Sequence, residues 1–268
     1  LSTDDLERAL TEITASGRRF RMLVLTSPDN PTGGIYSIER LRVIADWCIQ
    51  HHIHLIVNEI YGLSIIDTAH PDIANDYGSE LAFTSFAHVM QEQQSDYLHL
   101  WYALSKDLGI SGFRVGLLWS LNTTAIEAYE NLNLTHSLSN YTQWVVSRLL
   151  VADDFMRDYV TRNQERLTAS YARTARALRE MSVPYVPSRG SLFLWIDLSE
   201  FLDEPSEDGE LRLWRELFEN AGVLLTPGVG FGHTKHGLFR LVYPCVQPDE
   251  LGVAMQRIAQ FVEAKRGR

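Results

Sequence analysis

The chain has 268 residues, 45% of them hydrophobic, and a formal net charge of -10. That is enough apolar material for a large core, arranged as two domains or as one domain with a lobe. An acidic chain without a cluster of Lys and Arg excludes an extended nucleic-acid surface, and no apolar run has the length of a membrane span.

In chain order, "STDDLERALTEI" opens a helix, with Ser2 or Thr3 as its cap. "FRMLVLTS" (20–27) reads as a buried strand, and "SIERLRVIADWCIQHH" (37–52) as a helix with apolar residues at 38, 41, 44, 45 and 48. "IHLIV" (53–57) and "YLHLWYAL" (97–104) are further strands, joined by a long connection, 67–96, that holds its own helical piece. "VGLLWS" precedes two long helical patterns, 122–151 and 152–181, neither with Pro or Gly. After Val183-Pro184 the texture changes. "SLFLWIDL" is a strand, "GELRLWRELFENA" a helix, "GVLLTPG" a strand and turn, "GLFRLVYP" a strand, and 248–264 a final helix. Strands alternating with helices predict an α/β fold with a mostly parallel sheet and flanking helices, followed by a smaller C-terminal α+β lobe. The expected boundary lies at 151/152, with 1–151 forming the larger domain and 152–268 a connecting helix and the small domain. Leu1 is not a methionine and the chain starts directly on a helical pattern, so it reads as the C-terminal part of a longer protein. The two cysteines, Cys48 and Cys245, lie far apart without a CxxC. They suggest neither a zinc site nor a disulfide framework, and read as buried thiols of a reducing, cytoplasmic compartment.

In open α/β sheets, ligands bind at the carboxyl ends of the strands. Asn30 follows the strand 20–27, Asn58 and Tyr61 follow 53–57, and Ser105 and Lys106 follow 97–104. Each alone is weak: NPTG is a good turn, Tyr61 could be a packing aromatic, and a lysine at a strand end is commonly a surface group. Lys106, however, stands between Leu100, Trp101, Tyr102 and Leu104 on one side and Leu108 and Ile110 on the other. A lysine among such groups is expected to be partly desolvated, which frees its amine as a nucleophile for a Schiff base. Arg114, behind Gly109 and Gly112, suits a phosphate, whose oxygens match its forked donors. Arg240 is a charge inside an apolar strand and demands a partner, either a ligand carboxylate or an internal Asp or Glu.

The ordered set NPTG, NEIY, SKDLGISGFRVG and TPGVGF…FR resembles the fold-type-I pyridoxal-phosphate enzymes of the class I/II aminotransferases. "YALSKDLGISGFRVG" is especially similar to the subgroup of 1-aminocyclopropane-1-carboxylate synthases and their aminotransferase-like relatives. The similarity runs from about Leu1 to Arg268. It implies pyridoxal 5′-phosphate as cofactor, attached to Lys106, which also serves as the acid/base that moves the substrate α-proton. It implies further that Arg114 and Ser105 hold the cofactor phosphate, that Tyr61 bonds the phenolic oxygen with Asn30 beside it, and that Arg240, with Asn30, binds the substrate α-carboxylate. Small-molecule α-amino and 2-oxo acids are the implied substrates, a homodimer the implied assembly, and no metal is called for.

Three departures bear on this. Asn58 stands where the family has an Asp that keeps the ring nitrogen protonated. An amide forfeits that countercharge, a loss of at least about 1 kcal/mol of cofactor stabilisation. Adjacent Glu59 points to the opposite face and is a poor substitute. Ala103 stands where relatives carry a phosphate-binding Ser. The front segment that in relatives carries part of the small domain, a second phosphate loop and two site aromatics is missing. The implied activity is transamination. The alternatives are elimination from the γ-carbon of an S-adenosylmethionine-like substrate, or a truncated relative that is weakly active or non-catalytic.

Overall fold

The computed structural model describes residues 1–78 and 81–267, and these divide into two compact units. The first comprises Leu1–Pro28, Ile35–Leu63 and Leu81–Val160; the second comprises Asp29–Gly34, Ser64–Glu80 and Thr161–Arg268. The division falls at Val160/Thr161 rather than 151/152, and two early segments join the second unit. The early segments are tied by backbone bonds to the later chain, as in Arg189 N–H to Gly33 O (3.0 Å) and Ser191 N–H to Ser64 O (2.8 Å).

In the first unit, α1 (Thr3–Ala15) starts at Ser2, whose hydroxyl accepts from Asp5 N–H while the Asp5 carboxylate reaches back to Ser2 N–H. β1 (Met22–Thr26), β2 (His54–Asn58) and β3 (Leu98–Ala103) run parallel. α2 (Ile38–Gln50) and α3 (Ala87–Gln93) connect them. One face of this sheet is packed. Leu25, Leu55, Val57 and Leu98 meet Leu41, Ile44, Ala45 and Cys48 of α2, at the spacing the sequence predicts, together with Val89 and Met90 of α3. On the other face, Met22, Val24 and Trp101 are exposed.

After β3 comes one helical turn, α4 (Leu104–Asp107), and then β4 (Gly116–Ser120), which pairs antiparallel with β3 at the sheet edge. The predicted helix 122–151 is two helices, α5 (Thr123–His136) and α6 (Asn140–Leu150). The break needs neither Pro nor Gly. Ser139 is the N-cap of α6 and accepts from Thr142 N–H at 3.1 Å, which competes with helix continuation. α7 (Asp153–Glu180) begins in the first unit and continues into the second.

The second unit holds an antiparallel sheet of order β5 (Tyr185–Val186), β6 (Phe193–Asp197), β8 (Leu238–Val242), β7 (Thr226–Pro227). Its core is built by Leu194, Ile196, Phe239 and Leu241 against α7, α8 (Glu207–Ala221) and α9 (Pro248–Arg266). Cys48 is buried as expected, but Cys245 is exposed, because it lies in the turn between β8 and α9, outside the strand that would bury it.

Candidate active site

In the first unit the lysine segment is a closed loop. Ala103 pairs with Gly116 in the β3–β4 ladder, and one rung further Leu104 N–H donates to Val115 O at 3.2 Å. Ser105 and Lys106 leave from one end of that rung and Arg114 from the other. The Cα atoms of Lys106 and Arg114 are therefore no more than roughly 17 Å apart, a span that two such long side chains cover. The ladder, rather than the eight-residue spacing in sequence, is what brings them near one another. Gly109, at φ +66°, ends the α4 turn in the left-handed region, where a Cβ is strained.

Lys106 is exposed, so the expected desolvation is corrected. The apolar neighbours that suggested it, Leu104 and Leu108, are four residues apart and share one face of the turn, where both are buried. Lys106 is turned from each by about 200° and faces outward. Ser105 is half-buried beside it. Arg114 is exposed, takes φ 57° and ψ 37°, and donates from Nη1 to Ser111 O at 2.9 Å.

Asn58 ends β2, opposite Trp101 of β3, on the open face of the sheet. Its Oδ1 accepts from Ile60 N–H at 3.2 Å, which fixes the amide so that its NH2 is the end offered to a ligand. Glu59 points the other way, as expected. It is buried and accepts from Ser85 Oγ (2.7 Å) and Phe86 N–H (2.6 Å). Burial raises its pKa against the lowering effect of those two bonds. Tyr61 is buried in the turn after β2. That turn is fixed by a residue the sequence reading missed. Asp107, itself buried, accepts from Leu63 N–H (2.9 Å) and from Tyr102 OH (3.0 Å), and so ties the turn carrying Tyr61 to the residue after Lys106. The available signal was a carboxylate set directly between the candidate lysine and an apolar residue.

The second unit joins Asn30 and Arg240. Asn30 Oδ1 accepts from Arg240 Nη1 at 2.8 Å, and Arg240 Nη2 donates to Thr226 Oγ1 at 3.3 Å. The loop that carries Asn30 needs Gly33, at φ +70°, because a Cβ there would lie 1.9 Å from Ser188 Oγ and 2.4 Å from Gly190 O. The Arg240 guanidinium lies 4.4 Å from the Phe193 ring centroid and 5.0 Å from that of Phe231. Among the described residues no carboxylate pairs with it, and its Nε is buried without a hydrogen-bond partner. Of the two partners foreseen for this charge, the internal Asp or Glu is absent.

These groups suit pyridoxal phosphate by their donor chemistry. An outward amine suits an aldehyde, a guanidinium with N–H groups beyond the one on Ser111 suits a phosphate, and an amide NH2 suits the lone pair of a ring nitrogen. Among the described residues no cluster could hold a metal ion, and no helix is long and apolar enough to cross a membrane.

Comparison with known proteins agrees with this reading of fold and motif. The 1-aminocyclopropane-1-carboxylate synthase 2 of Cucurbita pepo is 28% identical over 261 residues, covering 96% of this chain and 50% of that protein. The synthase 1 of Oryza sativa subsp. indica is 32% identical over 255 residues, 94% of this chain and 52% of that protein. The chain thus spans about half the length of the curated relatives it matches. Among solved structures, Pyrococcus protein-A1 superposes with a TM-score of 0.80 at 19% identity, over 99% of this chain and 62% of that one. A Thermus thermophilus aspartate aminotransferase double mutant superposes at 0.74 and 23%, over 90% and 57%. These likenesses show the fold-type-I aminotransferase architecture. Residues 1–258 match the family model for aminotransferase class I and II, and the chain accordingly belongs to that family of pyridoxal-phosphate-dependent enzymes.

Proposed function

We propose that the chain carries the cofactor-binding core of an aminotransferase that exchanges an amino group between α-amino acids and 2-oxo acids. The observation that carries this reading is the closed loop 103–116, which presents one lysine and one arginine from a single rung at the carboxyl end of β3. Lys106 Nζ would hold the cofactor through its aldehyde carbon and, once the substrate amine had displaced it there, would be the free amine placed to take the proton from the substrate Cα. Arg114, with Ser105, grips the phosphate by charge-assisted bonds. Tyr61 orients the ring through its phenolic oxygen, and Asn58 donates to the ring nitrogen. Arg240, with Asn30, takes the substrate α-carboxylate, a bidentate task for which a guanidinium is suited. Bound pyridoxal phosphate supplies the electron sink for the pair left when that proton departs. An amide at 58 supplies no countercharge to the ring, which favours slow turnover.

A second reading, elimination as in a 1-aminocyclopropane-1-carboxylate synthase, is favoured by the names of the relatives above. Removal of the α-proton begins both reactions, so the same residues serve either. A homodimer is supported by the apolar side chains exposed along α5 to α7, among them Leu132, Leu134, Trp144 and Phe155. A cytoplasmic location remains part of the proposal.

Added cofactor should give the visible absorption band of an amine-bound pyridoxal, and Lys106→Ala should abolish it. An identical band from the variant would refute the Lys106 role. Product analysis with 2-oxoglutarate as acceptor separates the two reactions: glutamate marks transamination, a cyclopropane amino acid marks elimination. Cofactor uptake with neither product would assign the chain to the non-catalytic relatives.

A further inference from the structure

Beside Arg240, and wholly within the second unit, lies a cavity of about 450 Å³. Its walls include Pro31, Tyr185, Val186, Trp195 and Phe231. Two features connect it to the arginine. Trp195 stands directly opposite Arg240 in the β6–β8 register, so both side chains leave the same face of the sheet. Phe231 touches both, with its centroid 5.0 Å from the Arg240 guanidinium and 5.4 Å from the Trp195 ring, which it meets edge-on at 85°. Pro31 follows Asn30, the amide that receives the Arg240 N–H. Arg240 does not itself line the cavity; the two are joined through Phe231, Trp195 and Pro31.

Its charges cancel. Lys235 lies on its wall and is bonded to Asp197, also on the wall. An acidic side chain entering here would find Lys235 already held by Asp197, and a basic one would find Asp197 already held by Lys235. The other walls are the rings of Tyr185, Trp195, Phe231 and His233, whose Nδ1 accepts from Lys235 N–H at 3.0 Å, set among Pro31, Thr32, Pro184, Val186 and Leu238. The rings favour another ring in edge-to-face or offset contact. The volume falls within the range of small-ligand sites.

We propose that this cavity is the side-chain pocket of the ligand whose carboxylate Arg240 holds, and that it selects α-amino and 2-oxo acids bearing a neutral aromatic side chain. This inference rests on the function proposed above and narrows its substrate class.

The test is calorimetric titration of the chain with 3-phenylpropionate, hexanoate and succinate. 3-Phenylpropionate is expected to bind at least tenfold more tightly than the other two. Phe231→Ala should erase that preference. So should Val186→Trp, which fills the cavity from an exposed position on the edge strand and leaves the core untouched. Arg240→Ala should weaken all three ligands together. Equal or tighter binding of succinate or hexanoate, no binding of 3-phenylpropionate, or a phenyl preference that survives both cavity variants would overturn the assignment. The absorption band of added cofactor, measured on the same samples, reports separately on the proposed function. A chain that prefers the phenyl ligand but takes up no cofactor would sink that function and leave the pocket standing.

Discussion

Arg114 has a left-handed backbone, a conformation that costs a residue with a Cβ about 1 kcal/mol. The Arg114 Nη1 bond to Ser111 O offsets part of that cost, and the proposed phosphate contact is a second reason to keep the side chain there. Arg114→Gly should therefore leave the unfolding free energy unchanged or raise it by up to about 1 kcal/mol. Cofactor affinity in an absorbance titration should meanwhile fall roughly tenfold or more, through loss of charge-assisted phosphate contacts. A parallel loss of stability and affinity would mean that the arginine acts as a structural strut. At this scale the sequence was informative about identity and weak about environment. The motif SKDLGISGFRVG located Lys106 and Arg114. The burial of Lys106 was misjudged because apolar neighbours in sequence are neighbours in space only when the local turn aims them the same way. Asp107, Thr226 and Phe231 lie within the quoted motifs but received no role of their own, because their roles arise from contacts across the chain.

Among the elements, α8 supplies a feature no local pattern reveals. Glu210 is fully buried, and its carboxylate accepts from Val229 N–H (2.8 Å) and Gly237 N–H (2.7 Å), bracketing the loop that carries Phe231 and Lys235. Glu210→Ala would leave two backbone donors unpaired in a dry site. Urea denaturation should show a loss of about 3 kcal/mol. Glu210→Gln, which keeps one acceptor oxygen, should lose less. Equal behaviour of both variants and the parent would show that the loop holds itself. Most strands and helices were legible from periodicity alone, including the buried stripe of α2. The split between α5 and α6 was not, since it depends on Ser139 capping a new helix, a choice that helical periodicity does not register.

For the molecule as a whole, pH enters through the end of the first sheet away from Lys106. His99 of β3 is buried, accepts or donates with His54 at 2.9 Å and Ser120 at 2.7 Å, and has its pKa lowered from 6.5 to about 4. Burial is the main cause, and the neighbouring His54 adds to it, while Asp96 opposes. A histidine whose folded pKa is depressed contributes stability that is present above its unfolded value and is lost as pH falls towards the folded one. The window is pH 6.5 down to about 4. From pH 7 to 5 the loss should be about 2 kcal/mol, read from urea midpoints. His99→Gln should show a correspondingly shallower decline, and an equal decline would exclude His99 as its source. The α/β class and the smaller lobe were readable from the order of strands and helices. The membership of residues 29–34 and 64–80 in the second unit was not, because it rests on hydrogen bonds to segments more than a hundred residues later.

The reversed course of β4 decides where this chain tolerates added length. An insertion near Ser111 changes only the path between two rungs, and every pair from His99–Ser120 to Ala103–Gly116 stays in step. The same insertion between 98 and 103 would swing every later side chain of the strand to the opposite side of the sheet. Variation around Arg114, the proposed anion grip, is therefore cheap in the hairpin and forbidden in the strand that leads to Lys106.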